Sequence, residues 1–156
     1  MDLKQAGLGV VLFIIFWAFQ AGYLNGLGTT SWVIGVILFG LVLWLIGKGA
    51  MPRQPESMKE LWMFTYVFAV VLTAIFAWGG AYMGQTMSAS MVLSAWLMLF
   101  GGAMLLTGMF AKMQVTFLVG IIWLFSAIML SAALDFLSFG LLAGLPFIIY
   151  GIMSKK

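Results

Sequence analysis

The side chains that could carry out chemistry are few in this sequence, and none of them is histidine or cysteine. Disulfides, thiol chemistry and a zinc or haem site built on those residues are therefore excluded. No acidic or basic residue lies in the middle of an apolar run, which argues against a mid-membrane proton relay and against intramembrane proteolysis. We therefore expect no catalytic residue, no metal, no cofactor and no enzymatic activity.

The polar side chains inside the apolar runs are uncharged. Two of them have hydrogen-bonding groups that would be costly to leave without a hydrogen-bond partner in a membrane. Gln20 and Tyr150 carry an amide and a phenol that hydrocarbon cannot satisfy. A narrow uncharged path would use Gln20, Tyr66 and Tyr150 as hydrogen-bonding groups. Phe64 or Phe68 would narrow the path. The alternative is structural, since polar side chains in membrane helices commonly bond to a neighbouring helix.

Asp135 is the acidic residue closest to the apolar runs, at the turn between the fifth and sixth of them. A carboxylate in this place would cap the helix that follows. In a transport protein the same residue would lie at the outer mouth and attract or select ions. Both interpretations place Asp135 near a membrane surface.

The composition requires a bilayer as the solvent for most of the chain. Hydrophobic residues make up 65% of the 156 positions and charged residues 7%, whereas a soluble domain carries about a quarter charged residues. A domain of this size also exposes a large share of its surface. The sequence therefore predicts an integral membrane protein in the cell membrane.

Six apolar runs are long enough, or nearly so, for the roughly 20 residues that a helix needs to cross a bilayer. They cover about 6–24, 31–49, 61–82, 89–111, 115–134 and 136–153. The runs are apolar on every face, without the alternation of barrel strands. We expect an all-α protein of six transmembrane helices in a single domain.

The positions of lysine and arginine predict the orientation. With six spans, one side of the membrane receives every basic residue: Lys4, Lys48, Arg53, Lys59, Lys112, Lys155 and Lys156. Short loops rich in Lys and Arg stay in the cytoplasm. Both termini are therefore predicted to be cytoplasmic. The basic residues are few and scattered, so no nucleic-acid partner is expected.

Short outer turns and a longer inner loop divide the chain into three helical hairpins, at about 6–50, 60–111 and 115–153. The second helix of each hairpin carries two glycines seven residues apart, which lie on one helix face. These pairs are Gly40 and Gly47, Gly101 and Gly108, and Gly144 and Gly151. Small residues let membrane helices approach closely, so the pairs predict helix-packing surfaces and a threefold repeat.

Three local sequence patterns follow one another along the chain, and their order can be compared with known families. They are Gly22 followed by Gly35, Gly40 and Gly47; Phe64-Thr65-Tyr66 with Phe68; and Gly140-Leu141-Leu142-Ala143-Gly144 leading to Tyr150. This order resembles the acetate uptake transporter family, the YaaH-like succinate–acetate permeases. Gln20 stands where that family tends to have Asn. The AmiS and UreI amide and urea channels and the HdeD-like stress proteins are similar in a looser way.

The resemblance implies a homo-oligomer in the bilayer, a hexamer in that family, with one path per protomer. We therefore expect a channel or permease for a small monocarboxylate, an amide or a similar metabolite. The alternative is a subunit that transports nothing, either an accessory part of a membrane complex or an HdeD-like stress protein. The minimal loops of the chain and its lack of catalytic groups suit that alternative.

Overall fold

The computed structural model describes residues 2–50, 56–80 and 88–154, and these segments form six α-helices and no strand. The helices are α1 Leu3–Gln20, α2 Thr30–Ala50, α3 Glu56–Ala74, α4 Ala89–Phe110, α5 Gln114–Met129 and α6 Phe136–Met153. A 3-10 turn, Asn25–Leu27, connects α1 to α2, and α3 continues as a π-helix, Ile75–Gly79. The prediction of an all-helical chain is confirmed.

Four helical stretches are long and apolar enough to cross a membrane: Leu3–Gln20, Ser57–Gly79, Ala89–Phe110 and Phe136–Met153. Two shorter apolar helices accompany them, Thr30–Ile46 and Gln114–Met129. Their length and composition are consistent with the membrane protein that the sequence predicts.

Two of the helices begin at an aspartate that accepts backbone hydrogen bonds. Asp2 accepts from the amides of Lys4 and Gln5 at 3.2 and 3.4 Å. Asp135 forms a capping box with Ser138 at the start of α6. The first amides of a helix have no partner within the helix, so these carboxylates define where α1 and α6 start.

The closest helix pairs join neighbouring hairpins, α1 with α6 and α4 with α5. A Cβ atom on Gly9 would lie 2.6 Å from the carbonyl oxygen of Gly144 and 3.0 Å from the amide nitrogen of Ile148. A Cβ atom on Gly120 would likewise meet the carbonyl oxygen of Gly101, at 2.9 Å, and the amide nitrogen of Leu105. In both pairs, the backbones touch and only glycine fits.

The α1–α6 and α4–α5 pairs have the same register. Gly9 meets Gly144 and Ile148 of α6, which are four residues apart. Gly120 meets Gly101 and Leu105 of α4, which are also four residues apart. The α2–α3 pair, which joins the first hairpin to the second, differs. Gly40 of α2 faces the ring of Tyr66 and not the backbone of α3. The Tyr66 ring thus holds apart two helices that the repeated pattern would bring together.

Hydrogen bonds from side chains connect the two helices within each hairpin. In α3 and α4, two indole N–H groups each donate to a threonine hydroxyl on the other helix. The bonds are Gln5 Nε2 to the Ile46 carbonyl (3.1 Å), Trp62 Nε1 to Thr107 Oγ1 (2.9 Å), Trp96 Nε1 to Thr73 Oγ1 (2.8 Å) and Trp123 Nε1 to the Leu142 carbonyl (2.8 Å). Polar side chains thus hold each hairpin together. They also join hairpins to each other, because Ser94 Oγ of α4 donates to the Ala127 carbonyl of α5 at 2.7 Å.

The inner faces of α2, α4 and α6 surround one apolar core. Each helix contributes three buried positions with the same spacing of three and then four residues. The positions are Val36, Phe39 and Leu43; Leu97, Phe100 and Met104; and Gly140, Ala143 and Phe147. The ring of Phe39 lies 5.0 Å from the rings of both Phe100 and Phe139. Aromatic rings therefore fill the centre of the bundle. The α6 position that corresponds to Phe39 and Phe100 is Ala143, and the ring of Phe139 from the preceding turn contacts Phe39 instead.

A candidate binding cavity at the basic end of the bundle

A cavity of about 1240 Å³ lies where α2 and α3 are held apart. Gly40 and Tyr66 both line it, and residues from all six helices contribute to its wall. Leu41 and Met63 also line it and are 48% and 66% exposed, so the cavity opens to the surroundings between α2 and α3. We call the end of the bundle that carries Lys4, Lys59 and Lys112 the basic end, and the cavity lies in that half.

Gln5 is the most deeply buried polar group in the cavity wall, at 1% exposure. Its Nε2 donates to the Ile46 carbonyl at 3.1 Å. This bond fixes the amide orientation, because the opposite assignment would place two acceptor oxygens together. Oε1 is then left buried without a hydrogen-bond partner. An unsatisfied buried acceptor costs about 1–3 kcal/mol. This oxygen has almost no accessible surface, so a solute in the cavity does not reach it.

The start of α5 forms another part of the wall. Lys112 has a left-handed backbone conformation, with φ of 55°, and turns the chain sharply into α5. Met113 occupies the N-cap position and provides no side-chain hydrogen bond to the helix. Gln114, Val115 and Thr116 follow and line the cavity. The first amides of a helix are donors with a partial positive charge, so the start of α5 brings positive partial charge close to the cavity.

Phe100 lines the inner end of the cavity and is 1% exposed. Behind it lies the aromatic core, in which Phe39 contacts both Phe100 and Phe139. The Trp96 and Trp123 side chains there are also fully buried. The cavity thus extends from the basic end to the middle of the bundle, where packed rings separate it from the opposite end.

The structure places two of the five predicted path residues in this cavity, Tyr66 and Tyr150. Gln20 does not line it, because Gln20 is exposed at the last position of α1, at the opposite end of the bundle. Phe64 and Phe68 point outward from α3, at 69% and 44% exposure. Their rings stack on each other at 5.9 Å. Positions four apart share a helix face, whereas Tyr66, midway between them, points the other way.

Most of the predicted packing glycines lie against a neighbouring helix. Besides Gly101 and Gly144, Gly108 lies against the backbone of Phe117. A Cβ atom on Gly151 would lie 2.5 Å from the amide nitrogen of Ala6. Gly40 lines the cavity instead. Gly47 is part of α2, but its surroundings lie outside the described residues.

Asp135 is exposed and lies away from the cavity, at the N-cap of α6. Its carboxylate accepts hydrogen bonds from the backbone amide and the hydroxyl of Ser138, both at 2.7 Å. These bonds favour the charged form and lower the pKa of Asp135 below its ordinary value of 3.8. The structure thus gives this side chain a capping contact at the start of α6.

We expect Asp135→Ala to lower the free energy of unfolding by about 1 kcal/mol, because a helix cap is lost. Asp135→Asn should retain most of the cap. A lowered pKa in the folded state stabilises the protein above pH 3.8, and this contribution is lost as the pH falls through the folded pKa. Thermal unfolding in detergent at pH 7 and pH 3 measures both effects. Equal pH dependence in the wild type and Asp135→Asn would contradict the assignment.

Gln5 and Thr116 are functional candidates that the sequence interpretation missed. A polar residue four positions before a small one recurs in the first helix of each hairpin: Gln5 and Gly9, Thr65 and Ala69, Thr116 and Gly120. All six of these residues are buried. This spacing, read together across the hairpins, is the signal that would have identified Gln5.

Comparison of the chain with protein-family models, with curated proteins and with solved structures gives no match in any of the three. In the described residues, no group of three or more acidic side chains is placed to hold a metal ion. The assignment of a function therefore depends on the chemistry of the cavity.

Proposed function

We propose that this protein is a small-solute channel or permease, and that the cavity at the basic end receives the solute. The observation that carries the proposal is a cavity of about 1240 Å³ with a mainly apolar wall, which residues from all six helices line and which includes Tyr66 and Tyr150. Ligand sites are typically apolar concavities with a few convergent polar groups.

The proposed arrangement has six membrane-spanning helices in the cell membrane, with both termini in the cytoplasm. The basic residues support it, because lysine and arginine are retained on the cytoplasmic side. The basic end of the bundle is then the cytoplasmic end, and the cavity lies in the cytoplasmic half with its opening between α2 and α3. The aromatic core closes the outer side in this state. A permease with this structure exposes the cavity to each side in turn by moving hairpins against each other.

Lys59 and Lys112 line the cavity at the basic end, whereas its deeper part suits an uncharged solute. Its membrane-embedded wall is largely apolar, and a bare charge in such surroundings is expensive. The phenols of Tyr66 and Tyr150 add two groups that can both donate and accept a hydrogen bond. A small amide, or a monocarboxylate carried as the undissociated acid, meets these requirements.

Phenol removal tests the proposal with a matched control. We expect Tyr66→Phe and Tyr150→Phe each to change solute flux into liposomes several-fold, because each loses one net hydrogen bond to the solute, about 0.5–1.5 kcal/mol. Tyr23→Phe serves as the control, since Tyr23 is 75% exposed and lies outside the cavity. Flux is measured by light scattering during liposome swelling. If no solute in a panel of amides and acids crosses faster than in protein-free liposomes, the proposed function is wrong.

A further inference from the structure

We propose that the cavity binds an anionic phospholipid of the cytoplasmic leaflet. One acyl chain enters between α2 and α3, and the phosphate lies against Lys59 and Lys112. This inference rests on the membrane placement given under the proposed function, in which the basic end is cytoplasmic. It does not rest on transport, because the lipid would bind whether or not a solute crosses the membrane.

The opening of the cavity faces the acyl chains of the membrane. Three residues both line the cavity and are exposed on the outside of the bundle: Leu41 and Trp44 of α2, and Met63 of α3. All three are apolar, and Trp44 and Met63 are 59% and 66% exposed. Side chains exposed between the ends of a membrane-spanning bundle contact lipid. An acyl chain can therefore enter the cavity from the bilayer without passing through water.

Positive charge lies at the basic end of the same opening. Lys59 and Met63 are four residues apart in α3, so they share a helix face, with Lys59 one turn nearer the basic end. Lys112 lines the cavity from the turn that precedes α5. Within the part of the chain that the structure describes, the cavity wall contains these two lysines and no aspartate or glutamate. Its charge is thus positive where the phosphates of the leaflet lie.

The start of α5 adds to this positive charge. Met113 at the N-cap provides no side-chain hydrogen bond to the helix, and Gln114, Val115 and Thr116 line the cavity. The first amides of a helix carry a partial positive charge that favours phosphate oxygens. Basic pockets between membrane helices on the cytoplasmic side bind anionic lipid headgroups. The two lysines and the nearby helix start together match such a headgroup.

The depth of the cavity fits a large part of an acyl chain. Lys59 and Tyr66 both line it and lie seven residues apart in α3, which is about 10 Å along the helix axis. One leaflet contributes about 15 Å of hydrocarbon, half of the thickness of the membrane core. The volume of about 1240 Å³ also exceeds the roughly 300–1,000 Å³ of a typical small-molecule pocket. The cavity therefore has more room than a small solute needs.

Simpler ligands use only one part of the cavity. Free phosphate would contact the lysines but leave the apolar depth without an apolar partner. Phosphatidylcholine would fill the depth, but its choline group offsets the charge of its phosphate. An anionic phospholipid satisfies both parts. Its chain would occupy the space that the proposed solute needs, so lipid binding is measured without solute.

The first experiment compares two lipids with the same oleoyl chains, phosphatidylglycerol and phosphatidylcholine. The wild-type protein in a neutral detergent is titrated with each, and native mass spectrometry measures the affinity from the fraction of protein with one lipid bound. A lysine near the membrane surface strengthens the binding of anionic lipid about fivefold. We expect phosphatidylglycerol to bind about tenfold more tightly or better. Equal affinities for the two lipids would overturn the proposal.

Glycerol 1-phosphate distinguishes a lipid site from a site for a small anion. It carries the phosphate of the headgroup and no acyl chain. At constant ionic strength, we expect a large excess of it to leave the binding of phosphatidylglycerol unchanged, because the chain supplies much of the affinity. Displacement of the lipid by glycerol 1-phosphate would show that the cavity binds a small anion, contrary to the proposal.

Charge variants locate the headgroup. We expect Lys59→Gln and Lys112→Gln each to weaken the binding of phosphatidylglycerol about fivefold and to leave that of phosphatidylcholine unchanged. Lys4→Gln is the matched control, since Lys4 lies at the same end of the bundle but does not line the cavity. All three lysines are exposed, so the variants should fold. Equal weakening in all three would show that the basic end attracts the lipid as a whole, and would overturn the assignment to the cavity.

A photoreactive phosphatidylglycerol with a diazirine in the middle of one chain locates that chain. Tyr66 lines the cavity, whereas Phe64 and Phe68 of the same helix point outward. After irradiation, mass spectrometry of the peptides identifies the modified residues of α3. We expect modification at Tyr66. Modification of the outward-facing residues alone would place the chain on the outer surface and overturn the proposal.

Lipid binding and solute flux separate this inference from the proposed function. A preference for phosphatidylglycerol without solute flux into liposomes would support the lipid site and contradict transport. Flux into phosphatidylcholine liposomes by a protein that shows no preference between the two lipids would support transport and contradict the lipid site.

Discussion

Gly9→Ala is expected to lower the free energy of unfolding by about 2–3 kcal/mol, the cost of overpacking a close contact. The new methyl group would lie 2.6 Å from the carbonyl oxygen of Gly144 and 3.0 Å from the amide nitrogen of Ile148. Both atoms belong to the backbone of α6, which cannot rotate away as a side chain can. The two helices must separate, and the rest of their interface loosens with them. Unfolding by SDS titration after reconstitution measures the loss.

Two controls determine whether the close approach of helices is the cause. Gly7 lies two residues away in α1, and a Cβ atom there would have no atom within 4 Å. Gly7→Ala should therefore be neutral, or stabilising because alanine favours helix. At Gly40, the three atoms nearest to the new methyl group all belong to the ring of Tyr66, which can move into the cavity. Gly40→Ala should cost clearly less than Gly9→Ala. Equal losses in all three variants would contradict the packing assignment.

The helices and the role of several glycines were predictable because they depend on local sequence. The length and hydrophobicity of a run decide whether it can cross a membrane, and the six helices follow the six runs closely. Glycines seven residues apart predict a smooth helix face, and Gly101 and Gly144 do lie against neighbouring backbones. Each of these inferences needs only one segment of the chain.

The partners of those glycines were not predictable, because the partner depends on how the hairpins pack around the core. Gly144 contacts Gly9, at the other end of the sequence. No periodicity within α6 encodes that contact. The same dependence on packing explains why the sequence did not predict Gln5 as a cavity residue. Gln20 lies within a long apolar run, and Gln5 lies close to the N-terminus. Gln5 lies on the buried face of α1, which extends from Gln5 to Phe19, whereas Gln20 is exposed at the last position of the helix.

The difference between α2–α3 and the other two hairpin junctions is also a property of packing. The second helices carry their glycines in the same register, but Gly40 meets a tyrosine ring where Gly101 and Gly144 meet backbone. α3 has Ala69 where the close pairs have Gly9 and Gly120, and the ring of Tyr66 lies between Gly40 and the cavity at this junction. Glycines in the same sequence pattern can therefore have different roles: Gly101 and Gly144 pack against a helix backbone, whereas Gly40 lines a cavity.

Phe100→Ala is expected to have the second large effect, on both stability and permeability. Phe100 is 1% exposed, lines the inner end of the cavity and packs against Phe39 at 5.0 Å. Removing a buried ring costs about 3–5 kcal/mol in soluble proteins. The cost here should lie nearer 2 kcal/mol, because lipid is itself apolar and the lost packing dominates. The vacated space would extend the cavity into the aromatic core.

The consequence for permeability follows from the position of the ring. If packed rings close the outer side of the cavity, Phe100→Ala should let small solutes cross with less selectivity, seen as faster swelling of liposomes in butanone and propionamide alike. Phe110→Ala is the matched control, since Phe110 lies at the end of the same helix and is 69% exposed. A folded Phe100→Ala protein with unchanged selectivity would show that the aromatic core does not form the barrier. The barrier would then lie elsewhere along the route from the basic end, and Phe100 would act only in packing.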